Sequence, residues 1–229
     1  MRLDKFLAHN GFGTRKDVKI LVKKGMVTVN HDVVRDAGMV LNLEKDEVFV
    51  QGESVSYQKD IYFMMNKPAG YICEHNPEMY PSVLELIESY HRDLVFVGRL
   101  DADTEGLLLI TNDGQFSHRV AHSKSNVHKQ YYVELDKPFD LRFCEELEKG
   151  MMLGDELLKP AQVEVVGERA IHLTIGEGKY HQVKRMMHAC DNEVTYLKRI
   201  KIGALELDSS LQPGAYRDLS EEEINLFIK

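Results

Sequence analysis

Cysteine is scarce in this chain of 229 residues, and long apolar segments are missing. Cys73, Cys144 and Cys190 are widely spaced and form no CxxC pair, which indicates reduced thiols and argues against a zinc site. No apolar run approaches the roughly 20 residues that a membrane helix needs, and the charged N-terminus lacks the apolar core of a signal peptide. These absences indicate a cytoplasmic protein without a membrane partner.

Positive charge is also in short supply, since 29 Lys and Arg face 37 Asp and Glu and the net charge is −8. A basic surface over the whole protein, of the kind that binds nucleic acid non-specifically, is therefore excluded. The basic side chains are nevertheless clustered. Residues 1–35 carry eight Lys and Arg against three Asp, a local excess of five positive charges. Further basic stretches lie within 116–133 and 179–201. This distribution predicts local sites that bind anionic groups such as phosphates.

The N-terminal residues alternate between helix and strand signals. Leu3, Phe6 and Leu7 have helical spacing, and Thr14 is a good N-cap for a second helix over 15–24. Short strands are predicted at 26–30, 33–34 and 48–50. Residues 54–60 have no strong pattern, so we expect a small domain at 1–53, a linker at 54–60 and a second domain at 61–229.

The second domain mixes strands and helices. Strands are predicted at 61–65, 94–97, 107–110, 129–135, 163–166, 171–175, 194–197 and 200–207. Helices are predicted after Pro81, Asp113, Asp140 and Ser220, where Ser220 has the spacing of a capping box. The segment 176–187 also leads into a helix, with Val183, Met186 and Met187 on one face.

The stretch 94–114, LVFVGRLDADTEGLLLITNDG, places a highly charged loop between two buried strands. Burial of its ionisable groups would cost free energy unless they are solvated, paired or used in binding or catalysis. A solvated loop with side chains that cap backbone N–H groups would explain them. A calcium loop is a poorer explanation, because Asn112 stands where the bidentate Glu is needed and the flanks resemble strands.

The same stretch resembles the GRLDxxTxGLLLxTxDG motif of the RsuA-type pseudouridine synthases. Three other segments resemble signatures of that family, in the family's order: NKPAGY at 66–71, KQY at 129–131 and EGKYHQVKRM at 177–186. The N-terminal residues resemble the S4 RNA-binding domain. The resemblance implies an α+β protein, in which a small S4-like domain precedes a catalytic domain with a mixed, largely antiparallel sheet flanked by helices.

The resemblance also implies roles for individual residues in the isomerisation of uridine to pseudouridine. Asp101 would be the catalytic carboxylate, and Lys184 would be the cation that keeps it ionised, with Arg185 as the alternative. Tyr131 would contact the uracil. Because consecutive strand side chains face opposite ways, Tyr132 is then expected on the other face.

Further residues are expected to meet RNA. Arg99 would help to displace the base, although an ion pair with Asp103 or Glu105 would also explain it. His181 would hold the loop of the third signature, and His172, His181 and His188 lack the spacing of a metal site. The full set of expected RNA contacts is Arg2, Lys5, Arg15, Lys16, Lys19, Arg99, Lys129 and His181. The product retains every atom of the substrate, so no cofactor and no metal are expected.

The segment DGQFSHRV resembles the small-subunit branch of the family, which acts on uridine 516 of 16S rRNA. The expected partner is ribosomal RNA in an assembly-intermediate ribonucleoprotein, bound by a monomer. Three alternatives remain open: a 23S rRNA enzyme, a non-catalytic S4-containing assembly factor, and a nucleosidase that admits water to the same site.

Overall fold

The computed structural model describes residues 1–56, 60–88, 94–122 and 125–228. The chain forms two compact units that divide between Asp60 and Ile61. Within the described ranges no helix is long and apolar enough to cross a membrane. Of the segment 54–60, which the sequence analysis assigns to a linker, residues 57–59 lie outside the described ranges and residues 54–55 belong to a strand.

The N-terminal unit combines two helices with a four-stranded antiparallel sheet in the order β2-β1-β3-β4. Its elements are α1 (Leu3–His9), α2 (Arg15–Lys23), β1 (Val27–Val29), β2 (Asp32–Val33), β3 (Val48–Val50) and β4 (Glu53–Val55). Strand β4 extends the sheet into the expected linker, because residues 53–55 pair in register with β3.

The second helix begins where its capping residues predict. The Thr14 hydroxyl accepts from the backbone N–H of Asp17, and the Asp17 carboxylate accepts from the backbone N–H of Thr14. Leu3 and Leu7 of α1 and Val18 of α2 are fully buried together, as helical spacing predicts.

The second unit is built on a nine-stranded sheet in the order β11-β12-β8-β13-β7-β5-β15, with β14 beside β13 and β6 beside β7. Its strands are β5 (Tyr62–Lys67), β6 (Val95–Val97), β7 (Glu105–Thr111), β8 (Lys129–Leu135), β9 (Met152–Leu153), β10 (Glu156–Leu157), β11 (Ala161–Gly167), β12 (Ala170–Ile175), β13 (Val194–Ile202), β14 (Leu205–Glu206) and β15 (Tyr216–Asp218). Strands β9 and β10 form a separate hairpin. The helices are α3 (Gly114–Ala121), α4 (Cys144–Lys149), α5 (Gln182–Ala189) and α6 (Glu221–Asn225), with 3-10 helices at Val83–Leu86 and Leu141–Phe143.

The sheet of this unit is mixed and largely antiparallel, as expected. Strands β13 and β7 run parallel, whereas the other pairings of the described strands are antiparallel. The capping box at Ser220 also begins the terminal helix α6 as predicted.

Both faces of the central strand β7 are buried, which explains the continuous apolar run at 107–110. Leu108 and Ile110 belong to the core on the side of α5, and Leu107 and Leu109 belong to the core on the side of α3. Such a strand reads as an apolar run without alternation.

One prediction about the sheet was wrong. Residues 194–202 form a single strand, β13, where the sequence suggested two. The strand is irregular, because its register against β8 shifts between Val194 and Tyr196 and again between Arg199 and Lys201. These two irregularities interrupt the alternation that marks a strand in a sequence.

Candidate active site

Loop 98–104 joins β6 to β7 and carries Asp101. Leu100 is buried in the core, and the backbone N–H of Thr104 donates to the carbonyl of Asp101 at 3.1 Å, which closes a turn. The Asp101 side chain is 32% exposed at this turn. The carboxylate is therefore fixed at the edge of the core, with access to solvent.

Lys67, at the end of β5, holds this loop from beneath. Its side chain is fully buried, and its Nζ donates to the carbonyl oxygens of Thr104 at 2.8 Å, Pro68 at 3.0 Å and Ala102 at 3.4 Å. The backbone N–H of Gly70 donates to the same Ala102 carbonyl at 2.8 Å. Burial lowers the pKa of Lys67, although the nearby carboxylates oppose this effect.

This role of Lys67 is not among the expectations from the sequence, in which NKPAGY is only a segment that resembles a family signature. In the structure the Lys67 ammonium donates to the carbonyl oxygens of the neighbouring loop. The sequence carries no clear signal for this role, because Asn66 separates Lys67 from the apolar run 61–65 and the contacts join segments more than 30 residues apart.

Gly106 sets the close contact between β7 and β13 beside the loop. Its φ of +100° suits glycine, and a Cβ at this position would lie 2.2 Å from the carbonyl oxygen of Arg199. Arg199 is itself buried, and its Nε donates to the Leu107 carbonyl at 2.7 Å. The glycine of the GLLL segment is therefore required by a backbone approach.

Two side chains near the start of α5 approach the Asp101 carboxylate. Lys184 Nζ lies 3.5 Å from Oδ2, and His181 Nε2 lies 3.7 Å from Oδ1. His181, the N-cap residue, has a left-handed backbone with φ of 47°, a conformation that costs energy in a residue with a side chain. The helix thus presents one ammonium and one imidazole to the carboxylate.

Lys184 makes its shorter contact with a second carboxylate. Its Nζ donates to Asp103 Oδ1 at 2.6 Å, so it bridges the two acids of the loop. Burial alone would raise the pKa of Asp103, but the hydrogen bond and charge of Lys184 outweigh burial and lower it. Arg185, the alternative cation, directs its guanidinium to the carbonyl of Tyr180 at 3.5 Å.

Tyr131 and Tyr132 lie on opposite faces of β8. Tyr131 is buried, with 8% of its surface exposed, and it lines the same cavity as Asp101. Tyr132 donates its hydroxyl to Glu134 at 3.1 Å and stacks edge to face with His172. The structure therefore brings Tyr131, and not Tyr132, to the side of the carboxylate.

A cavity of about 80 Å³ joins these groups. Its apolar wall is formed by residues of the core and its polar rim by charged residues of the loop and α5. The lining comprises Arg99, Leu100, Asp101, Thr104, Tyr131, Ile175, Gly178, Lys179, His181, Gln182, Val183, Lys184 and Leu197. An apolar wall beside a few polar groups suits a flat, polar-edged ligand such as a base.

The expected alternative ion pairs of Arg99 are absent from the described part of the chain. Arg99 instead lies 3.7 Å from Glu74, and its side chain is 68% exposed. Asp103 is paired with Lys184, and Glu105 accepts a hydrogen bond from the Tyr196 hydroxyl at 2.7 Å. The two acids thus have other partners, which leaves the guanidinium at the rim of the cavity.

Two known protein families match this chain. The RNA pseudouridylate synthase family matches residues 61–189, and the S4 domain family matches residues 1–48. The chain belongs to the RNA pseudouridylate synthase family. The matched region contains the cavity residues from Arg99 to Lys184, so the family signature and the cavity coincide.

Several pseudouridine synthases resemble this chain over nearly its whole length and nearly their own. It is 46% identical to "Ribosomal small subunit pseudouridine synthase A" of Vibrio cholerae over 98% of each chain. It is 44% identical to "Uncharacterized RNA pseudouridine synthase YtzG" of Bacillus subtilis over 99% of this chain and 98% of the relative. A solved structure titled "Crystal structure of pseudouridylate synthase" superposes with a TM-score of 0.71 at 37% identity, over 99% of each chain.

The N-terminal unit of the pseudouridine synthase exposes the basic side chains that were expected to meet RNA. Lys5, Arg15, Lys16 and Lys19 are exposed. Arg2 is exposed too, but it donates two hydrogen bonds to Asp4, which neutralises part of its charge.

Lys129 of the pseudouridine synthase differs from those surface lysines, because it is half-buried on β8. Burial, together with the positive charges of Arg199 and Lys159, lowers the pKa of Lys129 to about 8. An anionic ligand near this ammonium would relieve the repulsion and favour its charged form.

The histidines of the pseudouridine synthase are engaged individually. His172 contacts Glu164 at 3.3 Å, and His188 contacts Glu193 at 2.6 Å. Within the described ranges, no three His, Cys, Asp or Glu side chains are arranged to hold a metal ion.

Proposed function

We propose that this protein converts a uridine of small-subunit ribosomal RNA into pseudouridine, with Asp101 as the catalytic carboxylate. The observation that carries the proposal is the position of Asp101, at the junction of an apolar wall with one ammonium and one imidazole. The names of the relatives support the small subunit as the source of the substrate.

The reaction breaks the bond between C1′ and uracil N1 and joins C1′ to C5. The C5 proton passes to solvent and N1 takes up a proton, so the product is an isomer of the substrate. Loss of the base builds oxocarbenium character at C1′, which an ionised carboxylate stabilises or attacks. Asp101 supplies that carboxylate.

Lys184 keeps Asp101 charged when the base closes the cavity. Desolvation by the incoming uracil favours the neutral carboxylic acid, and an adjacent cation opposes this. Because Lys184 also holds Asp103 at 2.6 Å, the ammonium is fixed in place before the substrate arrives.

Tyr131 supplies the flat surface against which the uracil rests. Its burial on β8 fixes the plane of the ring, and its position beside Leu197 and Ile175 continues the apolar wall. The phenol also lies in the same cavity as Asp101, where it can assist removal of the C5 proton.

The target uridine must leave its stack, which costs a few kcal/mol. Arg99 is suited to fill the gap, because its guanidinium is 68% exposed and its contact with Glu74 is long, at 3.7 Å. An exposed ion pair of this length contributes little, so the guanidinium is available to RNA.

The exposed cations of the N-terminal unit recruit the RNA through its phosphates. Lys5, Arg15, Lys16 and Lys19, with Arg2, supply this attraction, and Lys129 and His181 add contacts on the catalytic unit. Phosphate contacts carry affinity without sequence information, so the choice of uridine falls to the catalytic unit.

The proposed target is uridine 516 of 16S rRNA, within an assembly-intermediate ribonucleoprotein that a monomer binds in the cytoplasm. Support comes from relatives named for the small subunit, at 41% identity in Escherichia coli and 46% in Vibrio cholerae.

Pseudouridine mapping of 16S and 23S rRNA from a strain that lacks this protein tests the proposal. We expect one 16S position to lose its pseudouridine and to regain it on complementation. Loss of a 23S position instead would move the substrate to the large subunit. An unchanged pattern in both RNAs would leave a non-catalytic role.

A further inference from the structure

Tyr180 is an aromatic side chain that the reaction described above does not use. Its side chain lies at the surface, with 73% exposed, immediately before His181. Its ring is stacked on the His181 imidazole, with ring centroids 3.8 Å apart and planes 16° from parallel. A phenol this exposed contributes little to folding, because its apolar surface stays in water.

The stack of Tyr180 on His181 adjoins the reacting carboxylate. His181 is the imidazole that lies 3.7 Å from Asp101, and both His181 and Asp101 line the cavity. Tyr180 is thus separated from the carboxylate by one aromatic ring, and its orientation is fixed before RNA binds. The residue on which Tyr180 stacks, His181, also has a left-handed backbone, with φ of 47°.

Flat exposed rings are the surfaces on which unpaired bases stack in proteins that bind single strands. When a uridine leaves its helix, the neighbouring base loses a stacking partner on one side. An aromatic platform beside the cavity restores that partner, whatever the identity of the base, because every base has a π-face.

We propose that Tyr180 stacks against the nucleobase next to the target uridine and so positions the strand for entry of the uridine into the cavity. The proposal rests on the RNA modification proposed above. It makes Tyr180 a positioning residue, since the side chain meets the flanking nucleotide and not the reacting atoms.

The proposal predicts a split between binding and chemistry. Tyr180→Leu keeps the apolar bulk but removes the π-face, so KM for rRNA should rise between about fivefold and a hundredfold. The kcat and the pH–rate profile should stay as in the parent. Tyr180→Phe should retain the parent KM, because the ring remains.

Tyr132→Leu is the matched control, since it removes a tyrosine from the face of the sheet that points away from the cavity and should leave KM unchanged. If Tyr180 merely supported His181, Tyr180→Leu would lower kcat and shift the pH–rate profile through Asp101. That outcome would overturn the proposal.

A double-mutant cycle identifies the partner base once the modified uridine has been mapped. RNA with an abasic site at one flanking position should already have lost the contact, so Tyr180→Leu should add no further increase in KM on that RNA. Full additivity at both flanking positions would overturn the proposal.

Three further outcomes distinguish failure of the stacking proposal from failure of the proposed function. If the parent modifies rRNA and Tyr180→Leu has the parent KM, the platform is wrong and the proposed function stands. If Tyr180→Leu is impaired on ribonucleoprotein particles but not on free rRNA, Tyr180 docks a protein, which also overturns the proposal. Inactivity of the parent on both substrates would refute the function itself.

Discussion

Replacement of Lys184 by Met tests the electrostatics of the candidate site. The ammonium lies 3.5 Å from Asp101, where a unit charge contributes about 1 kcal/mol in water and about 5 kcal/mol at an effective dielectric of 20. The Lys184 and Asp101 side chains are 25% and 32% exposed, and Lys184 divides its charge with Asp103. We therefore expect a loss of about 1 to 3 kcal/mol at neutral pH.

This loss corresponds to a fall in kcat of roughly fivefold to 150-fold for Lys184→Met. The assay is release of tritium from rRNA labelled at uridine C5, followed across the acid limb of the pH–rate profile. Without its cation the carboxylate is more readily protonated, so the acid limb should move to higher pH and activity should recover in part as the pH rises. Lys184→Arg should retain more activity, because it restores a positive charge.

Two neighbouring variants serve as controls for Lys184. Arg185→Met should keep the parent kcat, because its guanidinium is directed at the Tyr180 carbonyl. Asp103→Asn should change kcat less than about threefold, since it releases Lys184 to Asp101 without removing the cation. Parent-like turnover of Lys184→Met along the acid limb, with a crippled Arg185→Met, would refute the reasoning.

Three further predictions follow from the described contacts. Lys67→Met should lower kcat by about tenfold or more, because the loop at Thr104 loses the hydrogen bonds that hold it. The free energy of unfolding, measured in urea, should change by less than about 2 kcal/mol, since removal of the buried charge offsets the lost hydrogen bonds. An unchanged kcat would contradict this. Because the pKa of Lys129 is lowered to about 8, the unfolded chain holds more protons than the folded chain between about pH 8 and 10. The free energy of unfolding should therefore rise across this range by about 1 to 2 kcal/mol relative to Lys129→Met, after allowance for partial exposure. Parallel pH curves of the two proteins in urea unfolding would contradict this. The double variant Lys16→Ala, Lys19→Ala should weaken rRNA binding and reduce the salt slope by about 2, and a slope equal to the parent's in filter binding would remove both residues from the phosphate contacts.

Much of the fold could be predicted because its signals are local. Thr14 and Ser220 begin helices through hydrogen bonds to residues three positions away, and the apolar run 107–110 is a strand buried on both faces. Strand β13 could not be predicted as one element, since its irregular register depends on the partner strand β8.

The candidate site divides in the same way. The strand alternation that separates Tyr131 from Tyr132 is visible in the sequence. The buried contacts of Lys67 with the Asp101 loop are not, because they join segments more than 30 residues apart. The shorter contact of Lys184 with Asp103 likewise depends on how α5 meets the loop, which no spacing rule supplies.

The central claim is that Asp101 carries the chemistry, and Asp101→Asn tests it most directly. The amide keeps the shape of the side chain and removes its negative charge. Pseudouridine formation in small-subunit rRNA should be abolished, while RNA binding stays within about threefold of the parent because phosphate contacts supply most of the affinity. Substantial turnover by Asp101→Asn would contradict the account.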